Sequence, residues 1–367
     1  MKKSFNAITA TRTALCLLIG MSLNAGNAQA QTDALQMSPG FVGNSVYYRL
    51  PKTRITVTVS TLHTVYTPGE LSRYAERYLR LDNVREQEWQ EWSIQEMNLE
   101  TTGTPDMSVI YSLDLGKKNG TRIQMNSDGT LRSVNSDSKE TADMASAQAM
   151  VIQESDDIPD PYSFLTEEIL QSASSSKMAE LVAAEIYAIR DSRNMITRGE
   201  ADYLPDDGES VIYVLQQLDR QEKALISLFS GTTRTELKNT VIEFDADSIT
   251  ERHILMRFSS RLGILSADNL AGEPIWIDVL KPEVNTDAPL SVRNTGILKS
   301  KSPYLFYNVP GTAHIRVYDN RHSYIDLEKP ISQFGGTTSM PKEWFSNGRK
   351  PEIIFDPATG SIGTFNE

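Results

Sequence analysis

The chain has 367 residues, 39% of them hydrophobic and 23% charged, a globular composition with room for two domain cores; it excludes a disordered or fibrous protein. Its formal charge of −12 argues against electrostatic binding to nucleic acid or anionic lipid.

Lys2, Lys3 and Arg12 precede an apolar run over residues 14–23, and Ala28-Gln29-Ala30 supplies the small residues that a signal peptidase reads. Residues 1–30 are therefore expected to be a cleaved signal peptide, which sends the protein to the periplasm or the outer membrane. The run is too short for a permanent anchor, and no later stretch approaches about 20 apolar residues, so no integral membrane span is expected. Cys16 follows Leu15 inside the run, where a lipoprotein signal needs a small residue before a cysteine at the end, so lipidation is not expected. Cleavage removes this only cysteine, and with it any disulfide, thiol nucleophile or thiolate metal site. It also takes the formal charge from −12 to −15, because the segment carries three cations and no acid.

Residues 31–42 have little pattern and read as a flexible leader into an α+β domain over 43–235. Ile55, Val57 and Val59 alternate with Thr56 and Thr58, as in a strand with one buried face. Thr67-Pro68-Gly69-Glu70 has the form of a capping box with proline at the first helical position, opening a short helix with Leu71, Tyr74, Ala75, Tyr78 and Leu79 along one side. Its tyrosines read as core rather than as a sugar-stacking platform. Trp92 and Ile94 suggest a further strand. Residues 108–115 and 121–125 read as strands around an Asn119-Gly120 turn, with Asp128-Gly129 starting another. A calcium loop over Asn126-Ser127-Asp128-Gly129 fails, because its first and last ligand positions would be Gln124 and Asn135. Residues 135–161, rich in Ser, Asp, Glu, Ala and Gln, read as an acidic loop.

The strongest pattern is a helical hairpin over residues 174–233. Ser174 to Ser176 offer caps, Met178, Leu181, Val182, Ile186 and Ile189 recur at helical spacing, and Gly199 follows Arg198 as a left-handed stop. A second helix opens at Asp206, with Glu209 completing a box, carries Val211, Leu215, Leu218, Leu225 and Phe229, and ends at Gly231. Folding the pair about Tyr203 brings Arg190 within reach of Asp219 in an interhelical ion pair, while Asp219 and Lys223 share a helix face. Arg190, Arg193, Glu200, Asp202, Asp219 and Glu222 are the tempting charges here. Buried pairs of this kind are weak evidence for either stability or catalysis.

Residues 236–367 read as a β-rich domain, an antiparallel sandwich of roughly 130 residues. Its strands lie at 241–244, 253–258, 275–279, 304–309, 313–318, 323–327, 353–355 and 361–365. Ile254, Met256 and Phe258 face one way, as do Ile275, Ile277 and Val279. Asn308-Val309-Pro310-Gly311 and Asp356-Pro357-Ala358-Thr359-Gly360 have turn chemistry, and residues 341–345 suggest one helical turn.

No chemistry-bearing motif stands out. His63, His253, His314 and His322 are scattered; His314 and His322 meeting in space make a weak metal site against the simpler reading of solvent-facing side chains. Nucleophile elbow, phosphate loop, dinucleotide fingerprint and zinc-protease motifs are absent from the sequence. Glu200, Asp202, Asp206, Asp207 and Glu209 cluster in a loop too open to raise a carboxylate for acid catalysis. No catalytic, cofactor-binding or metal residue is therefore assigned, and no cofactor.

Tyr74-Ala75-Glu76-Arg77-Tyr78-Leu79, Lys177-Met178-Ala179-Glu180, Ile186-Tyr187-Ala188-Ile189-Arg190-Asp191-Ser192-Arg193, Gly199-Glu200-Ala201-Asp202 and Asp207-Gly208-Glu209 resemble the domain-of-unknown-function 4831 family of secreted proteins of Gram-negative gut bacteria. Leu218-Asp219-Arg220-Gln221-Glu222, Phe229-Ser230-Gly231-Thr232-Thr233 and Phe355-Asp356-Pro357-Ala358-Thr359-Gly360 extend the resemblance over most of the mature chain. It implies an envelope location and brings no activity, ligand or catalytic residue to carry over. The expectation is an exported non-catalytic module binding an envelope protein or a surface glycan. An adhesin or pilus-like subunit and a carboxylate-dependent glycan hydrolase are the alternatives, and the oligomeric state is open.

Overall fold

In the computed structural model of the protein, the residues described are 39–116, 121–137, 152–155, 158–201, 207–248, 251–281, 303–344 and 351–366. The expected signal peptide, the Asn119-Gly120 turn, most of the acidic loop, and Asp202, Tyr203 and Asp206 lie outside them. Of the described residues 48% are in strands and 24% are helical, a strand-rich α+β protein of four antiparallel sheets.

The first sheet is built on β3 (Pro51–Thr67), which pairs with β4 (Trp89–Pro105) on one side and with β9 (Thr232–Asp245) on the other; β8 (Ile152–Ser155) pairs with the far edge of β9. Strand β8 thus forms inside the stretch expected to be an acidic loop. The domain division expected at residues 235/236 falls inside β9. Five strands make the second sheet, in the order β11 (Gly263–Leu265), β10 (His253–Ser259), β12 (Glu273–Leu280), β13 (Tyr304–Tyr318), β14 (Ser323–Pro341). Alternation aims Ile55, Val57 and Val59 of β3 and Met97 and Leu99 of β4 at Ile275, Ile277 and Val279 of β12 and Ile315 and Val317 of β13, in one shared core. Each of these aliphatic side chains contributes about 1.5–3 kcal/mol by leaving water. Gln95 is the extra residue of a bulge opposite the Ser60–Thr61 step, which is why Trp92 and Ile94 share the face of Met97 and Leu99.

A second core joins the two small sheets to the start of β13. One contains β1 (Gly40–Val42), β2 (Ser45–Tyr48) and β5 (Tyr111–Asp114); the other contains β6 (Ile123–Met125), β7 (Leu131–Val134), β15 (Glu352–Phe355) and β16 (Ile362–Asn366). A third core is helical. Short α1 (Ala75–Leu79) and α2 (Glu167–Leu170) flank α3 (Ser175–Arg198) and α4 (Gly208–Ser230), whose Ile186, Ile189, Leu225 and Phe229 bury together. Ser174 caps α3 by accepting from the Lys177 N–H, and Gly199 ends it at φ 71°. For α4 the cap is Asp207, one residue later than expected, accepting from the Ser210 N–H at 2.7 Å.

Two expectations are corrected by long-range pairing. Thr67 does not cap a helix: it is the last residue of β3, opposite Thr232, and the Leu71 N–H donates to the Leu228 carbonyl at 2.8 Å. The turn expected at residues 308–311 lies inside continuous β13, at a register break where Pro310 faces residues 332–335 of β14, and β14 runs on past Leu327 to Pro341. Gly311 and Gly335 have no side chain to separate the strands there: a Cβ on Gly335 would collide with the Val309 carbonyl oxygen.

Candidate functional site

Two arrays of ionisable groups are organised by the fold, one between the long helices and one on a sheet. Between α3 and α4, the carboxylate of Glu222, 8% exposed, lies 2.6 Å from Arg190 Nε and 2.7 Å from Arg193 Nη1. The second contact is an ion pair without hydrogen-bond alignment. Asp219 lies 3.6 Å from Arg193 and 3.0 Å from Lys223, the latter as expected from their spacing. Arg190 therefore meets Glu222 and not Asp219. The deeper acid takes both arginines, since a buried carboxylate needs compensation that a half-exposed one finds in water.

On the sheet, the alternation that buries Ile275, Ile277 and Val279 turns Trp276 and Asp278 the opposite way. Register then builds three rungs on this outer face: Ile254, Trp276 and Tyr318; Asp278, Arg316 and Asp326; Leu280, His314 and Glu328. Trp276 and Tyr318 are half-buried neighbours, ring centroids 5.9 Å apart and tilted by 33°. Asp278 is almost wholly buried. It accepts from the Arg252 N–H and from Arg316 Nη2, both at 2.7 Å, and from the Tyr318 hydroxyl at 3.4 Å. Burial, then the Asp278 charge, push the Tyr318 phenol above its ordinary value. Arg316 stays 41% exposed, its Cζ 5.6 Å from the Tyr318 ring centroid. His314 Nε2 lies 2.6 Å from Asp326 Oδ1, and both are open to solvent.

The histidines do not converge. His314 pairs with Asp326, while His322 sits in the β13–β14 turn with Nδ1 3.5 Å from Asp319. His63 stacks on Trp92 at 3.9 Å and an interplanar angle of 10°, and His253 is exposed at the start of β10. Among the described residues no group of three His, Cys, Asp or Glu side chains could hold a metal ion. Partial burial pushes the Asp319 carboxyl up, but N–H donors of Arg321 and His322 and the Tyr324 hydroxyl outweigh it and hold it below the usual carboxylate range. Of the loop acids, Glu200 and Glu209 are exposed and Asp207 is the helix cap. Trp276, Asp278 and Tyr318 were missed by sequence reasoning. The signal was there in parity: a tryptophan and an aspartate between inward-facing Ile275, Ile277 and Val279.

These features define a strand-rich α+β protein with an aromatic and ionic array on an outer sheet face. The chain belongs to the family described as Domain of unknown function (DUF4831), whose model matches residues 44–363. No curated protein and no solved structure matches the chain.

Proposed function

We propose that the protein is an exported, non-catalytic envelope module, periplasmic or held at the outer membrane through a partner, that binds another protein or a surface glycan. The observation that carries this reading is the half-buried Trp276–Tyr318 pair, set beside Arg316, His314 and Asp326 on the outer face of the five-stranded sheet. Binding surfaces combine an amphipathic aromatic platform with a few fixed polar groups. Glu222 and Asp278, the buried acids among the described residues, are each held by arginine, which suits a structural ion pair better than a general acid. Strand β14 carries Asp326, Glu328 and Pro330 along its outer edge, residues that discourage the strand addition a pilus-like subunit needs.

Crosslinking of the tagged protein in living cells, with fractionation and mass spectrometry, tests the reading. One recurrent envelope partner, captured by a photo-crosslinking residue placed at exposed Glu328 of the third rung, is the expected result. Sustained turnover of an envelope polysaccharide or peptide by the purified protein, lost on Asp278→Asn, would overturn it.

A further inference from the structure

We infer that the outer face of the five-stranded sheet binds a neutral glycan chain, an inference that rests on reading this face as a binding surface. A sugar presents an apolar C–H face and a rim of hydroxyls that both donate and accept. The sheet face answers with two aromatic rings, a donor at Arg316 and exposed acceptors at Asp326 and Glu328. Same-face residues along a strand are about 6.6–6.8 Å apart, so the three rungs offer a run of about 13 Å, long enough for several sugar units rather than a single one.

Charge selects against the rival ligands. Arg316 is neutralised by Asp278 at 2.7 Å and Asp326 faces His314 at 2.6 Å, so the face offers no free cation to an anionic ligand and adds the exposed acid Glu328, on a chain of formal charge −12. A uronate or sulfated polymer is therefore repelled. A lysine or arginine of a basic peptide is drawn by the acids, but the cation position over Tyr318 is already taken by the protein's own Arg316, 5.6 Å from the ring centroid. A neutral chain meets neither obstacle.

The test is affinity electrophoresis of the purified protein through gels containing a soluble β-glucan, an α-mannan, a galactomannan or polygalacturonate, at low and high salt. Expected is retardation by at least one neutral polymer, insensitive to salt, with affinity lowered about tenfold by Trp276→Ala. The reduction recurs in Asp326→Asn, a solvent-exposed change that leaves packing intact and so stands in if the tryptophan variant does not fold. Glu100→Gln, exposed on the other large sheet, leaves retardation unchanged. Retardation by polygalacturonate alone, retention unaffected by both face variants, or no retardation by any neutral polymer overturns the inference. If no polymer binds but photo-crosslinks from position 328 still lead to one envelope protein, the binding face stands and the glycan falls. If both experiments are blank, both readings fall.

Discussion

Replacing Glu222 by Gln removes the charge shared by Arg190 and Arg193 while keeping the side chain's shape, so the change leaves no cavity. Breaking one side of a fully buried pair costs about 3–5 kcal/mol, because the remaining charge is stranded. Here the carboxylate is 8% exposed, but both arginines are 35% exposed and can turn toward water. The expected loss is therefore smaller, about 2–3 kcal/mol. At about 2–4 °C per kcal/mol for a unit of this size, the melting temperature falls by about 4–12 °C. Asp219→Asn is the internal comparison: that acid is 48% exposed, its pairs are at 3.0 and 3.6 Å, and its loss costs about 0.5 kcal/mol or less. Thermal and urea unfolding of the two variants against wild type decide the matter. Added salt should close the small Asp219 difference and leave most of the Glu222 one. Should Glu222→Gln melt alongside Asp219→Asn, the buried carboxylate does not hold the long helices together, and the apolar contacts of Ile186, Ile189 and Leu225 do so alone.

Three further outcomes follow from the same geometry. Gly335→Ala puts a methyl group into the backbone of residues 309–311, and should cost about 3 kcal/mol or more, seen as early melting or insoluble expression. Thr53→Val keeps the volume but strips the hydroxyl that donates to the Ala358 carbonyl and accepts from the Ser332 N–H, each at 3.0 Å. Because Thr53 is fully buried, urea unfolding should register a loss of about 2–3 kcal/mol. The lowered Asp319 carboxyl means that folding favours its ionised form. Its contribution is present above the ordinary carboxylate value of about 3.9 and disappears as pH falls through the lower folded value. Asp319→Asn should be destabilised at neutral pH and lose less stability than wild type on acidification, and parallel acid limbs in the two proteins would show the assignment to be wrong.

What could be read in advance was whatever is decided within one or two turns of chain. Ser174 and Gly199 bound their helix by their own hydrogen bonds and backbone angle, and the Asp219–Lys223 pair needs only helical spacing. The same kind of evidence misled at Thr67 and at Asn308-Val309-Pro310-Gly311. Both segments carry good local signals for one structure and are held in another by strands far away in sequence: Thr67 by Thr232, and Val309 by Gly336. Pairings between such distant residues are chosen by complementary buried faces, which periodicity reveals, and by register, which it does not.

The segments that carry the family resemblance make physical sense once they are seen together. Tyr187 donates its hydroxyl to the Tyr78 carbonyl at 2.9 Å, and Arg190 and Arg193 reach Glu222, so three separate motifs meet within the helical core. The last one works at the other end of β3, beside Pro51 and Thr53. Asp356 accepts from the N–H groups of Ala358 and Thr359 at 3.0 and 2.8 Å, which fixes the turn so that its carbonyls face inward. The Ala358 carbonyl then accepts from Thr53, and the Thr359 carbonyl from Asn308 Nδ2, which also donates to the Pro51 carbonyl. Buried amides and hydroxyls at the start of β3, at the β13 register break and at the C-terminal turn satisfy one another, and that junction ties the shared core of the large sheets to the core of the small ones. These motifs are thus joints of the fold. The Trp276–Tyr318 face lies outside all of them.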